Sequence, residues 1–228
     1  MPHGEATVPA LRAIEAARCW TIEELPVLQM TSRLPRLENT PAARRFCRFY
    51  QFQQQAFLRR CQRVLLPEAQ AACNAALAAG VPPPCFQTAL DYTIHRNQDG
   101  ICSLTTRLRE NTRPGPARQL QWGDTWDLRT GRLLPVSAFF PAGSSWKRQL
   151  LNAAAAAIEA RERTGTAPYR AFWPRALRRS LDPRNFYLTE TALCFFYGQN
   201  VLAPALEGIP VFSLPFRPEG PLSAPDRT

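Results

Sequence analysis

One long stretch of the chain repeats its large side chains at helical spacing. Phe46, Phe49, Tyr50, Gln53, Phe57, Cys61 and Val64 follow i, i+3, i+4, i+7 steps. That pattern predicts an amphipathic helix with an aromatic stripe facing a core and its arginines outside. Thr40 and Pro41 supply its start, as N-cap and first helical residue. Leu66-Pro67 is expected to interrupt it, because proline lacks a donor and clashes with the carbonyl one turn back. An Ala-rich stretch from Glu68 to Ala79 resumes the helix and stops at Gly80. Pro82-Pro83-Pro84 then forms a stiff link.

Past that link the period changes from 3.6 to 2. Leu90, Tyr92 and Ile94 alternate with Asp91, Thr93 and His95. Asn97-Gln98-Asp99-Gly100 makes a turn, and Cys102, Leu104, Thr106 and Leu108 alternate in the next strand. Arg113-Pro114-Gly115-Pro116 is a second turn. Leu120, Trp122, Trp126 and Leu128 share a face of a third strand, which predicts an antiparallel meander. Gly131 is free to turn the chain after it.

Ser144-Ser145 opens another helix with Trp146, Leu150, Ala153, Ala157 and Ile158 inward, and Gly165 ends it. Glu159 and Arg163 sit outside at i, i+4. Residues 168–181 form a short helix restarting at Pro174. Residues 185–197 are two apolar runs around a polar turn. Leu193, Phe195 and Tyr197 fall on one face and Cys194 and Phe196 on the other, as in a central strand or one covered by a helix. Residues 211–214 make a last strand. Before residue 38 the pattern is weak: Leu11, Ile14 and Ala17 have helical spacing, and residues 22–30 begin a strand that Pro26 places at an edge.

Strands and helices in this order give an α+β fold, an antiparallel sheet packed against two or more helices. Residues 1–20 are an N-terminal extension. Residues 21–84 are a smaller module carrying the long helix, residues 85–216 the main domain, and residues 217–228 a loose tail. At 228 residues the two modules suit one compact unit.

Composition narrows the function classes. No run approaches the roughly 18 apolar residues of a membrane span. Arg12, Glu15, Arg18, Glu23 and Glu24 interrupt any signal-peptide core, so the chain as written is expected in the cytoplasm, and outside it if the gene start is truncated. Seven cysteines, with no Cys-x-x-Cys pair, read as reduced and mostly buried thiols. With only His3 and His95 beside them, no metal site and no cofactor are expected. The net charge is +10, and all basic residues but Lys147 are arginine, which points to coding bias. Arg44, Arg45, Arg48, Arg59, Arg60 and Arg63 still form a stripe along the first helix. A solvated face is the first reading of that stripe and a nucleic-acid surface the alternative.

No nucleophile elbow, phosphate-binding loop, zinc-protease or dinucleotide signature is present. His95 reads as a rim hydrogen-bonder rather than a base. Asp124 and Asp127 differ in strand parity and do not pair; Asp127 before Thr130-Gly131 reads as a turn residue accepting backbone N–H bonds. Trp126 and Trp146 read as core. Trp122 and Trp173, beside polar or Arg-rich neighbours, read as partly exposed.

Three segments together resemble the RsiV-type anti-sigma factor family, known as domain of unknown function 3298. They are residues 91–108 with Gly100-Ile101-Cys102-Ser103-Leu104, residues 127–140 with Asp127-Leu128-Arg129-Thr130-Gly131-Arg132-Leu133-Leu134-Pro135, and residues 185–210 ending in Gly208-Ile209-Pro210. The helix of residues 46–64 is similar to the smaller module that usually precedes the domain, so the resemblance spans residues 20–216. It implies a non-enzymatic α+β sensor or binding domain that lies outside the membrane. In the best-known member the domain recognises lysozyme by filling the enzyme's cleft, and related domains accompany peptidoglycan deacetylases. A lysozyme-like protein or a cell-wall fragment is therefore the expected partner. This chain has neither a membrane helix nor a sigma-binding segment, so regulated cleavage does not carry over. The loops at 114–122 and 142–145 are the candidate contact surface, with Arg113, Arg118, Trp122 and Trp173 as candidate partner-binding residues.

Overall fold

The computed structural model describes residues 10–38, 42–165 and 168–225. The fold is α+β, with a six-stranded, mostly antiparallel sheet, a three-stranded sheet and packed helices. The described chain divides into two compact units. The N-terminal unit holds residues 10–92 and 107–118; the C-terminal unit holds residues 93–106 and 119–225. The division falls inside strands, not at the proline link.

In the N-terminal unit, β1 (Leu11–Ile22) pairs antiparallel with β2 (Leu25–Leu37). The helical spacing of Leu11, Ile14 and Ala17 gives way to a strand. Leu11, Ile14, Ala16, Trp20 and Ile22 are half-buried, and from Ile14 onward these positions share one parity. On β2, Leu28, Met30, Ser32 and Leu34 are buried while Gln29, Thr31 and Arg33 are exposed. β2 then pairs in parallel with β3 (Phe86–Gln98), from Leu28 opposite Phe86 to Ser32 opposite Leu90. This pair lies outside the meander read for the strands after the proline link, and it makes the six-stranded sheet mixed rather than wholly antiparallel. A parallel pair requires a long crossover, and the helices supply it.

Those helices are α1 (Ala43–Arg60) and α2 (Leu66–Ala78), joined by a π-helical turn, Cys61–Leu65. Thr40 and Pro41, the expected start, lie outside the described residues. Phe46, Tyr50, Phe57, Cys61, Leu65, Ala69 and Cys73 are buried, and α1 and α2 pack over β2. Pro67 does not interrupt the helical run. It sits in the first turn of α2, and the wider π turn before it moves the carbonyls away from the pyrrolidine ring.

β3 continues through Asp99-Gly100, both at positive φ, into β4 (Ile101–Asn111). β5 (Arg118–Asp127) and β6 (Arg132–Leu133) complete the order β1-β2-β3-β4-β5-β6.

In the C-terminal unit, α3 (Trp146–Thr164) buries Leu150, Ala154 and Ile158 and ends on left-handed Gly165. α4 (Trp173–Arg179) follows, with Pro174 in its first turn. β7 (Phe186–Leu188), β8 (Ala192–Phe196) and β9 (Val211–Pro215) form a separate antiparallel sheet with β8 in the centre. Every residue of β8 is buried, which explains its two-sided apolar pattern. Phe139, Phe195, Tyr197 and Phe212 share one core with α3 and α4. The tail, read from sequence as loose, is hydrogen-bonded as far as Ser223. Leu222 N donates to Phe139 O at 2.6 Å, and Arg96 donates to Ser223 O at 2.7 Å.

Candidate functional site

A groove in the N-terminal unit gathers the most chemistry. Its larger lobe is a cleft of about 810 Å³. Ala71 and Ala72 of α2 line it, with Pro84, Cys85 and Phe86 from the link into β3 and Arg113 and Pro114 from the β4–β5 turn. A second lobe of about 360 Å³ is lined by Arg60, Glu68, Glu110, Arg113 and Arg118. Glu68, Thr112 and Arg113 border both lobes. The larger lobe is the more apolar because the middle of α2 presents Ala71 and Ala72 to it, while the smaller takes Arg60 from the end of α1.

The charged lobe is built on Glu110, which is 4 % exposed. Arg60 Nε donates to Oε1 at 2.6 Å and its terminal nitrogen to Oε2 at 3.0 Å, a bidentate fork. Arg118 donates to Oε2 at 3.0 Å. Burial would raise the Glu110 pKa, but the two guanidiniums outweigh it and hold the carboxyl below its ordinary value. Arg60 is held up in turn, chiefly by its bond to Glu110. Arg60 thus leaves the outward stripe to which its spacing assigned it. Arg113 is exposed and makes no ion pair or hydrogen bond among the described residues.

The four candidate residues separate. Arg113 and Arg118 meet in the groove. Trp122, on β5 of the C-terminal unit, is 40 % exposed. Trp173 is only 9 % exposed, and its indole N–H donates to Glu162 at 3.0 Å. It belongs to the core of the C-terminal unit, which corrects its reading as a partly exposed contact residue. Sequence reasoning missed Glu110. The signal was present: Cys102, Leu104, Thr106 and Leu108 mark an inward register, and Glu110 continues it. A carboxylate at such a position requires a buried partner.

Other candidates find ordinary partners. His95 Nε2 lies 2.9 Å from Thr105 Oγ1, and the ring stacks on Tyr187 at 3.8 Å. Asp127 accepts from Arg129 N at 2.9 Å. Burial would raise its pKa, but that bond and one from Thr130 bring the net shift below the ordinary value. Burial also pushes the Cys194 thiol up, against a hydrogen bond with Tyr187. Among the described residues no group of three His, Cys, Asp or Glu side chains is close enough to hold a metal ion. Nor is any helix among them long and apolar enough to cross a membrane.

Comparison with known proteins finds a family match for part of the chain. Residues 137–217 match the family described as protein of unknown function (DUF3298). That match includes the third segment of the resemblance and the end of the second; residues 91–108 and the long helix lie outside it. No curated protein matches the sequence. Among solved structures, a DUF3298 family member from Bacteroides fragilis NCTC 9343 aligns with a TM-score of 0.68 at 11 % identity, over 91 % of this chain and 90 % of that one. A DUF3298 family protein from Pseudomonas aeruginosa PAO1 aligns with a TM-score of 0.55 at 14 % identity, over 91 % and 89 %. At such identities the likeness is one of fold. Residues 137–217 thus match the DUF3298 family, in a chain that shares the fold of two solved members of that family.

Proposed function

We propose that this chain is a non-enzymatic binding or sensor module of the RsiV-like kind, taking a protein or cell-wall-related ligand in the groove around Arg113. One observation carries the reading. A mostly apolar cleft opens beside a preorganised arginine cluster, and Arg113, the exposed arginine that borders both lobes, has no partner among the described residues. Ligand sites combine these features, an apolar concavity with a few fixed polar groups. The sensor reading rests on the motif resemblance and the family match. Calorimetry of the whole chain with a lysozyme and with soluble peptidoglycan fragments tests it. Binding that Arg113→Glu weakens at least tenfold is the expected result; no heat with either ligand class sinks it.

A second reading has its own support. Arg44, Arg48, Arg59 and Arg63 lie exposed along α1 and its π turn, and residues 43–65 contain no acidic residue. Phe52 is exposed midway, with the Arg48 guanidinium 5.5 Å from its ring centre. Such a face suits a nucleic-acid backbone with a stacking platform. A mobility shift at physiological salt with single-stranded and duplex oligonucleotides decides it. The expected retardation disappears in a variant with all four arginines replaced by serine; its absence in the unaltered chain removes the reading.

A further inference from the structure

Resting on the groove reading above, we infer that the groove recognises the carboxy-terminus of a peptide whose last side chain is apolar. The argument starts from charge. The smaller lobe brings together Arg60, Arg113 and Arg118 against Glu68 and Glu110. Three positive and two negative groups leave one positive charge. A cation finds no open ligand in Glu110, because Arg60 holds both its oxygens and Arg118 shares one. A single carboxylate neutralises the lobe. A phosphate group, with its nearly two negative charges, overshoots it and faces Glu68.

Arg118 spends one terminal nitrogen on Glu110, and its side chain is 54 % exposed. Its remaining donors and the whole fork of Arg113 are available to an oxygen pair, the planar geometry that guanidinium matches best. Glu110 acts as a positioning residue: it fixes Arg60 and Arg118 without touching the ligand.

Position supplies the second half. Arg113 borders both lobes, so the anion and the apolar group must lie close together. In an extended chain adjacent side chains point to opposite faces, so an internal Asp or Glu cannot readily place its own neighbour in the apolar lobe. A terminal residue carries its carboxylate and its side chain on one α-carbon. The carboxylate then meets Arg113 and Arg118 while the side chain enters among Ala72, Pro84, Phe86 and Pro114.

The test uses the whole isotopically labelled chain and amide-resolved NMR titration with N-acetyl-L-leucine, N-acetyl-L-leucinamide and inorganic phosphate. N-acetyl-L-leucine is expected to shift the amides of residues 68–72, 85–86 and the non-proline positions of 110–118 with about millimolar affinity, fitting for so small a ligand. The amide should bind at least tenfold more weakly, phosphate should leave these signals unmoved, and Arg113→Gln should abolish the response with the remaining spectrum unchanged. Glu110→Gln should weaken it through Arg118; should that variant fail to fold, Arg118→Gln serves instead. Equal binding of the amide, or displacement by phosphate, leaves the groove a site but overturns the carboxylate assignment. No shift with any probe overturns the inference, whereas the binding-module reading falls only on the absence of calorimetric binding to its macromolecular ligands.

Discussion

Gly123 is fixed by a neighbour rather than by a turn. A Cβ built there would lie 1.8 Å from the carbonyl oxygen of Phe186, where the backbone of β7 crosses β5. Backbone cannot retreat as a flexible side chain can, so Gly123→Ala should cost about 3 kcal/mol of stability, the range of overpacking and local strain. Urea unfolding followed by tryptophan fluorescence measures it, and an unchanged midpoint refutes the close approach. The thiols give a second prediction at this scale. Cys19 is exposed, while Cys61, Cys73, Cys102 and Cys194 are buried. Burial pushes Cys61 up to about 11 and Cys102 up to about 12. The native chain at pH 8 should therefore react rapidly with a chromogenic disulfide at Cys19, and Cys19→Ser should remove the fast phase. The two features differ in how far sequence reveals them. Mostly buried thiols could be read from seven cysteines without a Cys-x-x-Cys pair. Gly123 could not, because the strand that requires it lies more than 60 residues away.

Among elements, β4 and α1 are joined by an ion pair whose carboxylate is buried while its guanidinium keeps about a third of its surface exposed. Glu110→Gln keeps the shape but leaves Arg60 without its charged partner, and about 2 kcal/mol should be lost, less than for a fully buried pair because Arg60 still reaches water. The pH dependence has a definite sign. The folded-state pKa of Glu110 lies below its ordinary value of about 4.5. Its ionised form therefore stabilises the fold above that value, and this contribution fades as pH falls through the lower, folded-state pKa. The stability gap between the natural chain and Glu110→Gln should be constant from pH 7 to about pH 5 and narrow below it. A gap that widens in acid contradicts the assignment. Periodicity located α1 and α3 because each buries a face that its own residues spell out, while Pro174 marked α4 and apolar residues at both parities marked β8. It failed at residues 11–22, where small alanines blur helical and strand periods, and at Pro67, where a π turn accommodates what a regular α-helix cannot. The groove was half legible. Arg113 and Arg118 stand near a proline-rich turn, but the alanine face of α2 looks in sequence like any other helix surface.

For the molecule as a whole, the α+β class followed from the switch of period at residue 84, and the mixed pairing did not, since a parallel neighbour depends on where a crossover lands. The end of the described chain carries a stronger consequence. Arg96 has a side chain only 4 % exposed, and it donates to Asp99 at 3.1 Å and to the carbonyl of Ser223 at 2.7 Å. Its Nε has no acceptor among the described residues. Gly220 and Pro221 are buried, and a Cβ at Gly220 would meet Phe140 at 2.7 Å. Ending the chain at Phe216 removes the Ser223 acceptor and the Leu222–Phe139 bond together, leaving a buried guanidinium with Asp99 as its remaining acceptor among the described residues and the Phe216 ring beside it. A buried charged donor deprived of its acceptor costs about 1–3 kcal/mol, so the shortened chain should lose about 3 kcal/mol once the lost contacts at Pro221 are included. The mechanism is separable from a general loss of packing. If the penalty lies in the stranded charge, Arg96→Met should destabilise the full chain yet be nearly neutral, or stabilising, in the shortened one. A double-mutant cycle from urea midpoints should then show a coupling of about 1 kcal/mol or more. Additive effects would place the tail's contribution in packing alone, and an unaltered midpoint on truncation would make it a passive strand of surface chain.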